Sequence, residues 1–346
     1  MKKLITAGLI ACFVILSCVG CAKNEATETS APEREFVTVI DKTGRYVEVP
    51  CPVKRIVSLN SGMAALVCAF GEADRLVGRD VFCSFPSYMK DVRAVGKSSQ
   101  PNLELIAEQN PDVLVADPML YDANRAKIEA AGIPVYVDST SDPERLLPLI
   151  SNFGLMLGKK DKADEIADYI GGYIDLVNGR MIKLELEDGS KPKVFFEFRS
   201  AYKSASAEST FHKPIAAAGG VNIAAGQPVS TPRLSPEWIL EQNPEIIVRR
   251  LSGDADLEEM KAFRDEIISR PGLKGTDAVK EDRVYIIKAD IFLTVRYPVG
   301  LLYYAKWFHP DLFADIDPAV VHQEIVEKFF GPGEWEKMTE TFVCTK

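Results

Sequence analysis

The sequence predicts an α/β protein of two lobes with mainly parallel sheets, and three observations predict it. Residues 103–115 recur as residues 236–248, and each copy runs from an amphipathic turn of helix through Glu-Gln-Asn-Pro and an acidic residue into a short apolar run. Around both copies, β-branched runs of strand length alternate with helical patterns, as parallel strands joined by crossover helices require. From 161 to about 186 a helical pattern continues with few breakers; at ~1.5 Å per residue it extends ~35–40 Å, enough to bridge two lobes.

The chain opens with Met1-Lys2-Lys3 and an apolar stretch from Leu4 to Leu16, the layout of a secretory signal and too short for a membrane span. It ends in cysteine. Ile15-Leu16-Ser17-Cys18 resembles a bacterial lipobox, so residues 1–17 are read as signal and Cys18 as the acylated residue, with Cys21 as the alternative. Residues 22–35 are rich in Ala, Thr, Ser and Glu without apolar period, so 18–35 reads as a lipidated flexible tether. The body then divides into a first lobe (36–158), an interlobe helix (159–188) and a second lobe (189–346).

In the first lobe, 38–50 reads as a hairpin turning at Thr43-Gly44. Strand 55–59, a turn at 60–62 and helix 63–70 follow, then strand 76–78 and a loop over 79–89. The first copy of the repeat supplies a helix capped by Asn102, whose side chain can accept from orphan N–H groups, and strand 113–116. Helix 124–131, strand 135–137 and helix 142–157, stopped by Gly158, complete the lobe. Gly171-Gly172 weakens the interlobe helix by roughly 1 kcal/mol per glycine relative to alanine.

The second lobe reads as strand 194–198, a polar loop over 199–210, a helix through Ala218 and a turn at Gly219-Gly220. The second copy begins with Ser235 as cap and Pro236 at the first helical position, and its strand ends at Arg249-Arg250. Helix 257–269, strand 284–288 and helices 299–308 and 318–330 close the chain. In both copies Asn-Pro stops the helix, because the residue before proline is pushed out of the α region.

Composition narrows the function. The 346 residues are 47% hydrophobic, enough for two cores. A net charge of −9 and the absence of a basic run in the body exclude nucleic acid as a partner. Cys51, Cys68, Cys83 and Cys344 are widely spaced with no Cys-x-x-Cys, so neither a disulfide pairing nor a metal site is assigned. Gly96-Lys97-Ser98 imitates the tail of a phosphate loop, but position 91 is Asp where the first glycine belongs. There is no Gly-x-Ser-x-Gly or His-Glu-x-x-His, and His212, His309 and His322 lack ligand spacing. The sequence reads as that of a non-enzyme.

Taken together, the pieces resemble the substrate-binding lipoproteins of ABC importers that carry ferric siderophores, haem and cobalamin. The resemblance covers about 41–317 and rests on Gly44-Arg45 through Pro50, Lys54-Arg55-Ile56-Val57, and Gly71 through Val77-Gly78. It continues in Asn102-Leu103-Glu104 with Asn110-Pro111-Asp112, Gly219-Gly220-Val221-Asn222-Ile223 and His309-Pro310-Asp311-Leu312-Phe313. It implies two Rossmann-like lobes joined by one long helix, with the ligand cleft between them. It also implies a monomer that works with a permease dimer and its ATPase, has no cofactor or metal of its own, and carries a chelated iron complex. A corrinoid, haem or a molybdate- or tungstate-type oxyanion are alternative ligands. A tetrapyrrole chelatase or a tethered sensor would keep the same design.

Ligands in open α/β layers bind outside the carboxyl ends of the strands, so loops 60–62, 79–88, 117–121, 199–209, 249–253 and 290–296 should line the cleft. They carry Arg79, Arg199, Arg249, Arg250 and Arg296, whose planar forks of donors suit carboxylate or catecholate oxygens. From these loops the candidate ligand residues are Asn60, Arg79, Phe82, Tyr88, Arg199, Tyr202, Arg249 and Arg296. The competing reading is rim ion pairs and core aromatics. Glu104 and Glu237 follow helix caps by two residues, where the helix dipole favours a carboxylate by ~0.3–1 kcal/mol. The resemblance places them on the family's pair of permease-docking glutamates, one per lobe.

Overall fold

The computed structural model describes residues 35–186, 190–253, 255–338 and 342–345. The signal, Cys18, Cys21 and all but the last residue of the tether lie outside the described residues. Among the described residues, no helix is long and apolar enough to cross a membrane.

The first lobe is built on four parallel strands in the order Leu76–Arg79, Ile56–Ser58, Val113–Ala116, Val135–Val137. Three of the four are buried along their whole length, which is why they read as unbroken apolar runs. An antiparallel hairpin, Glu35–Ile40 with Tyr46–Cys51, precedes them. At its turn the buried Asp41 accepts from the Thr43 and Arg45 amides and the Thr43 hydroxyl, and Gly44 takes a φ of +80°. Burial alone would raise the pKa of Asp41; the hydrogen bonds from Thr43 and Arg45 outweigh it and hold the carboxylate below its usual range.

The second sheet runs Val221–Asn222, Lys193–Phe198, Ile246–Leu251, Val284–Lys288, Val343–Cys344, with the first four strands parallel and the last antiparallel. Its two outer strands are two residues each, too short to show a period in the sequence.

The repeat is structural. Helices Leu103–Glu108 and Pro236–Gln242 are capped by Asn102 and Ser235, which accept from the Leu105 and Trp238 amides. Asn110 and Asn243 leave the α region, but into the left-handed conformation, at φ of 43° and 47°, rather than into extended backbone. Asparagine tolerates that region better than any residue but glycine. The acidic residue of each copy then clasps the entry of the neighbouring strand: Asp112 accepts from the Lys54 and Arg55 amides at 2.8 and 3.0 Å, and Glu245 from the Lys193 amide at 3.0 Å.

The interlobe helix is one unbroken element, Lys160–Leu186, 27 residues and about 40 Å long. A Cβ at Gly171 or Gly172 would meet nothing, so packing does not demand these glycines. Ile166, Ile170, Val177 and Met181 turn inward to a single core that extends into both lobes and includes helix Tyr297–Phe308. The lobes also meet directly. Thr294 donates its amide to the Thr140 carbonyl and its hydroxyl to that of Gly62, while Lys213 pairs with Asp142 at 2.8 Å. Residues 318–337, at the end of the second lobe in sequence, pack on the first: Phe330 meets Phe85 edge-on at 4.7 Å, and Glu334 accepts from the Ser87 amide and hydroxyl.

Gly300 couples this framework to the cleft, because a Cβ there would lie 2.5 Å from the Phe292 ring. Gly300→Ala should gain ~1 kcal/mol of helix propensity and lose ~1–3 kcal/mol to overpacking. The expected net result in thermal denaturation is a lower melting temperature; a raised one would mean that Phe292 can move freely.

Candidate functional site

Residues that follow the carboxyl ends of parallel strands in both sheets line one crevice, where open α/β layers bind ligands. Its first-lobe wall carries Asn60 and Ser61 after strand Ile56–Ser58, Asp80 and Phe82 after Leu76–Arg79, and Asp117 after Val113–Ala116. Its second-lobe wall carries Arg199, Arg249, Arg250, Ser252 and Phe263. Between the walls Ser61, Val81, Phe82 and Ser84 face Ser252, Gly253 and Asp290 across a cavity of about 480 Å³.

The eight candidate residues separate. Phe82 is 66% exposed, the Lys97 ammonium 5.1 Å from its ring centre, and it faces the crevice. Asn60 lines it too, but its side chain is committed: Oδ1 caps helix Ser61–Ala69 and Nδ2 donates to Asp117. Arg199 is exposed on the opposite wall. Arg79 turns back into its own loop, donating to the Val92 and Asp80 carbonyls at 3.0 and 3.1 Å. Tyr88 packs into the core beside Cys68. Arg296 is 4% exposed, its guanidinium 4.3 Å from the Phe85 ring and 5.5 Å from that of Phe342. The returning C-terminal segment covers it.

Arg249 and Tyr202 belong to a network centred on Glu197, which local sequence gave little reason to select. Glu197 is fully buried and in register with Arg249 on the adjacent strand. It accepts from Arg249 at 2.9 Å, from Arg270 at 2.6 Å and from the Tyr202 amide, while the Arg270 guanidinium lies over the Tyr202 ring. Arg199 and Tyr202 both have left-handed backbone, φ 61° and 62°, a cost of about 1–2 kcal/mol each for residues with a Cβ. The bond from the Tyr202 amide to Glu197 anchors this tight turn and so presents Arg199 at the lip of the crevice.

Side chains alternate along a strand, so Arg250 points away from Glu197. Its guanidinium lies 4.4 Å from the Phe211 ring centre and 5.5 Å from that of Phe292, and it forms no ion pair with a described carboxylate. Arg250 lies outside the eight candidates; strand parity after Arg249 was the signal that could have separated the two arginines. On the first wall, Asp80 accepts from the Phe82 and Ser98 amides, and Asp117 from the Ser98 hydroxyl. Burial, with help from the Asp117 charge, raises the Asp80 pKa against those hydrogen bonds. The two walls thus differ in charge.

Glu104 and Glu237 are exposed in the first turns of their helices and have no hydrogen-bond or ion-pair partner among the described residues.

Residues 56–291 match the periplasmic binding protein family. The chain belongs to that family. This periplasmic binding protein is 28% identical over 311 residues to the iron-uptake system-binding protein of Bacillus subtilis, covering 84% of this chain and 92% of that one. It is 26% identical over 227 residues to the cobalamin-binding protein of Halobacterium salinarum, covering 63% of this chain and 59% of that one, so it spans about three fifths of that relative's length. In fold it resembles the TroA-like periplasmic binding protein FepB from Veillonella parvula, with a TM-score of 0.72 at 24% identity over 89% of this chain and 99% of that one.

Removing one member of a buried ion network leaves the others uncompensated, typically at ~3–5 kcal/mol. Glu197→Gln should therefore lower the melting temperature of this periplasmic binding protein by several degrees in a thermal melt. An unchanged melting temperature would show that Arg249 finds another partner and that Glu266 alone suffices for Arg270.

Proposed function

We propose that the protein is the extracytoplasmic substrate-binding component of an ABC importer, and that it captures an anionic iron chelate of siderophore type between its lobes. The observation that carries this reading is Arg250, a cation held between two aromatic rings at the crevice with no described carboxylate paired to it, in a chain of net charge −9. Arg199 adds a second guanidinium at the lip, and the exposed Phe82 ring offers a bulky ligand an apolar face from the other wall. Guanidinium donors aimed at anionic oxygens form the stronger class of hydrogen bond, at ~1.5–3 kcal/mol. The iron stays within its chelator.

A corrinoid ligand is the second reading, favoured by the likeness to a cobalamin-binding relative. In this account an acyl group on Cys18, or on Cys21, tethers the monomer to the membrane. Glu104 and Glu237, equivalent in the repeat and unpaired among the described residues, dock it on a permease dimer served by an ATPase.

Two arms test the proposal. In titrations with ferric catecholate, ferric hydroxamate, ferric citrate, cyanocobalamin, haemin and molybdate, one iron chelate class should bind saturably, and Arg250→Ala should weaken it at least tenfold. Saturable binding of cyanocobalamin alone moves the assignment to corrinoids, and binding of none removes it. The double variant Glu104→Ala, Glu237→Ala should keep ligand affinity and lose cellular uptake; undiminished uptake would refute the docking role.

A further inference from the structure

Arg250, which lines the crevice, also lines a smaller slot with Ser141, Thr210, Phe211, Phe292 and Tyr304. Ser141 comes from the first lobe and the others from the second, so both lobes must be in place for the slot to exist. Its free volume is about 10 Å³, room for roughly one water-sized group, and Arg250 lines both it and the crevice.

The donors around it are unusual for such a place. Among the described residues the buried Arg250 Nε has no hydrogen-bond partner, and Nη2 makes only a long contact, 3.4 Å, to the Ala289 carbonyl. Asp290 acts on the guanidinium electrostatically but forms no ion pair with it. Burial raises the pKa of Tyr304 and keeps its hydroxyl neutral, so it can donate. A guanidinium held against rings and short of acceptors is costly until something supplies a negative oxygen. The slot is too small for a metal centre with its ligands, whereas one oxygen atom fits.

We infer that this slot receives one oxygen of a carboxylate that hangs from the chelate without binding the metal. The cargo is then a carboxylate-bearing metal chelate, with its bulk in the wider cavity between Phe82 and Ser252 and its free carboxylate on Arg250. This inference rests on chelate capture in the crevice and adds the chemical group that selects among chelates.

Matched probes separate the two claims. The full chain is titrated with haemin and with haemin dimethyl ester, equal in bulk but differing in free carboxylates, and with ferric citrate beside ferric deferoxamine. The carboxylate-bearing member of each pair should bind at least tenfold more tightly. Arg250→Ala should erase that preference, and Tyr304→Phe, which keeps the ring, should reduce it; melting temperatures establish that both variants are folded. Equal affinity within each pair, or a preference that survives Arg250→Ala in folded protein, overturns the slot and leaves chelate capture standing. If no chelate binds, or molybdate alone saturates the protein, both claims fall.

Discussion

Glu197 is the point on which the crevice turns. Its carboxylate, fully buried, binds Arg249, Arg270 and the Tyr202 amide at once. That single group fixes the end of a strand, neutralises Arg249, shares Arg270 with Glu266, and anchors the left-handed turn that presents Arg199. Arg250 follows Arg249 on the same strand, yet strand parity sends it to the face where no described carboxylate accepts from it. One wall therefore contains both an arginine paired with a carboxylate and one with no carboxylate partner among the described residues, a residue apart in sequence.

The walls keep their separation because they share a core. Ile166, Ile170, Val177 and Met181 of the 27-residue helix pack into the same apolar cluster as strands of both lobes and helix Tyr297–Phe308. The returning C-terminal helix crosses to the first lobe and adds Phe330 and Glu334 to the join. A receptor built this way holds its donors in place before the ligand arrives, and preorganisation of that kind lowers the cost of ordering side chains on binding.

Much of the frame was legible in the sequence because local chemistry writes it there. Asn102 and Ser235 cap the helices of the repeat, and fully buried strands appear as short β-branched runs. The interlobe helix shows as a stretch poor in breakers. The two-residue edge strands did not show, since no period fits in two residues, and proline alone did not tell that Asn110 and Asn243 would turn left-handed. The arginines were legible as a set and not as individuals. Arg79 answers to carbonyls of its own loop. Arg296 and Tyr88 answer to long-range packing, Arg296 under the returning C-terminal segment and Tyr88 in the core beside Cys68; no local pattern records such contacts. Glu197 carried one faint signal, a carboxylate inside an apolar strand with an arginine in register on the next.

The most direct measurement is an anomalous difference map at the iron edge from crystals of the protein grown with ferric citrate. The account predicts one peak in the crevice between Phe82 and Arg250, with Arg249 still bound to Glu197. A peak elsewhere on the molecule, or none at saturating chelate, would contradict it.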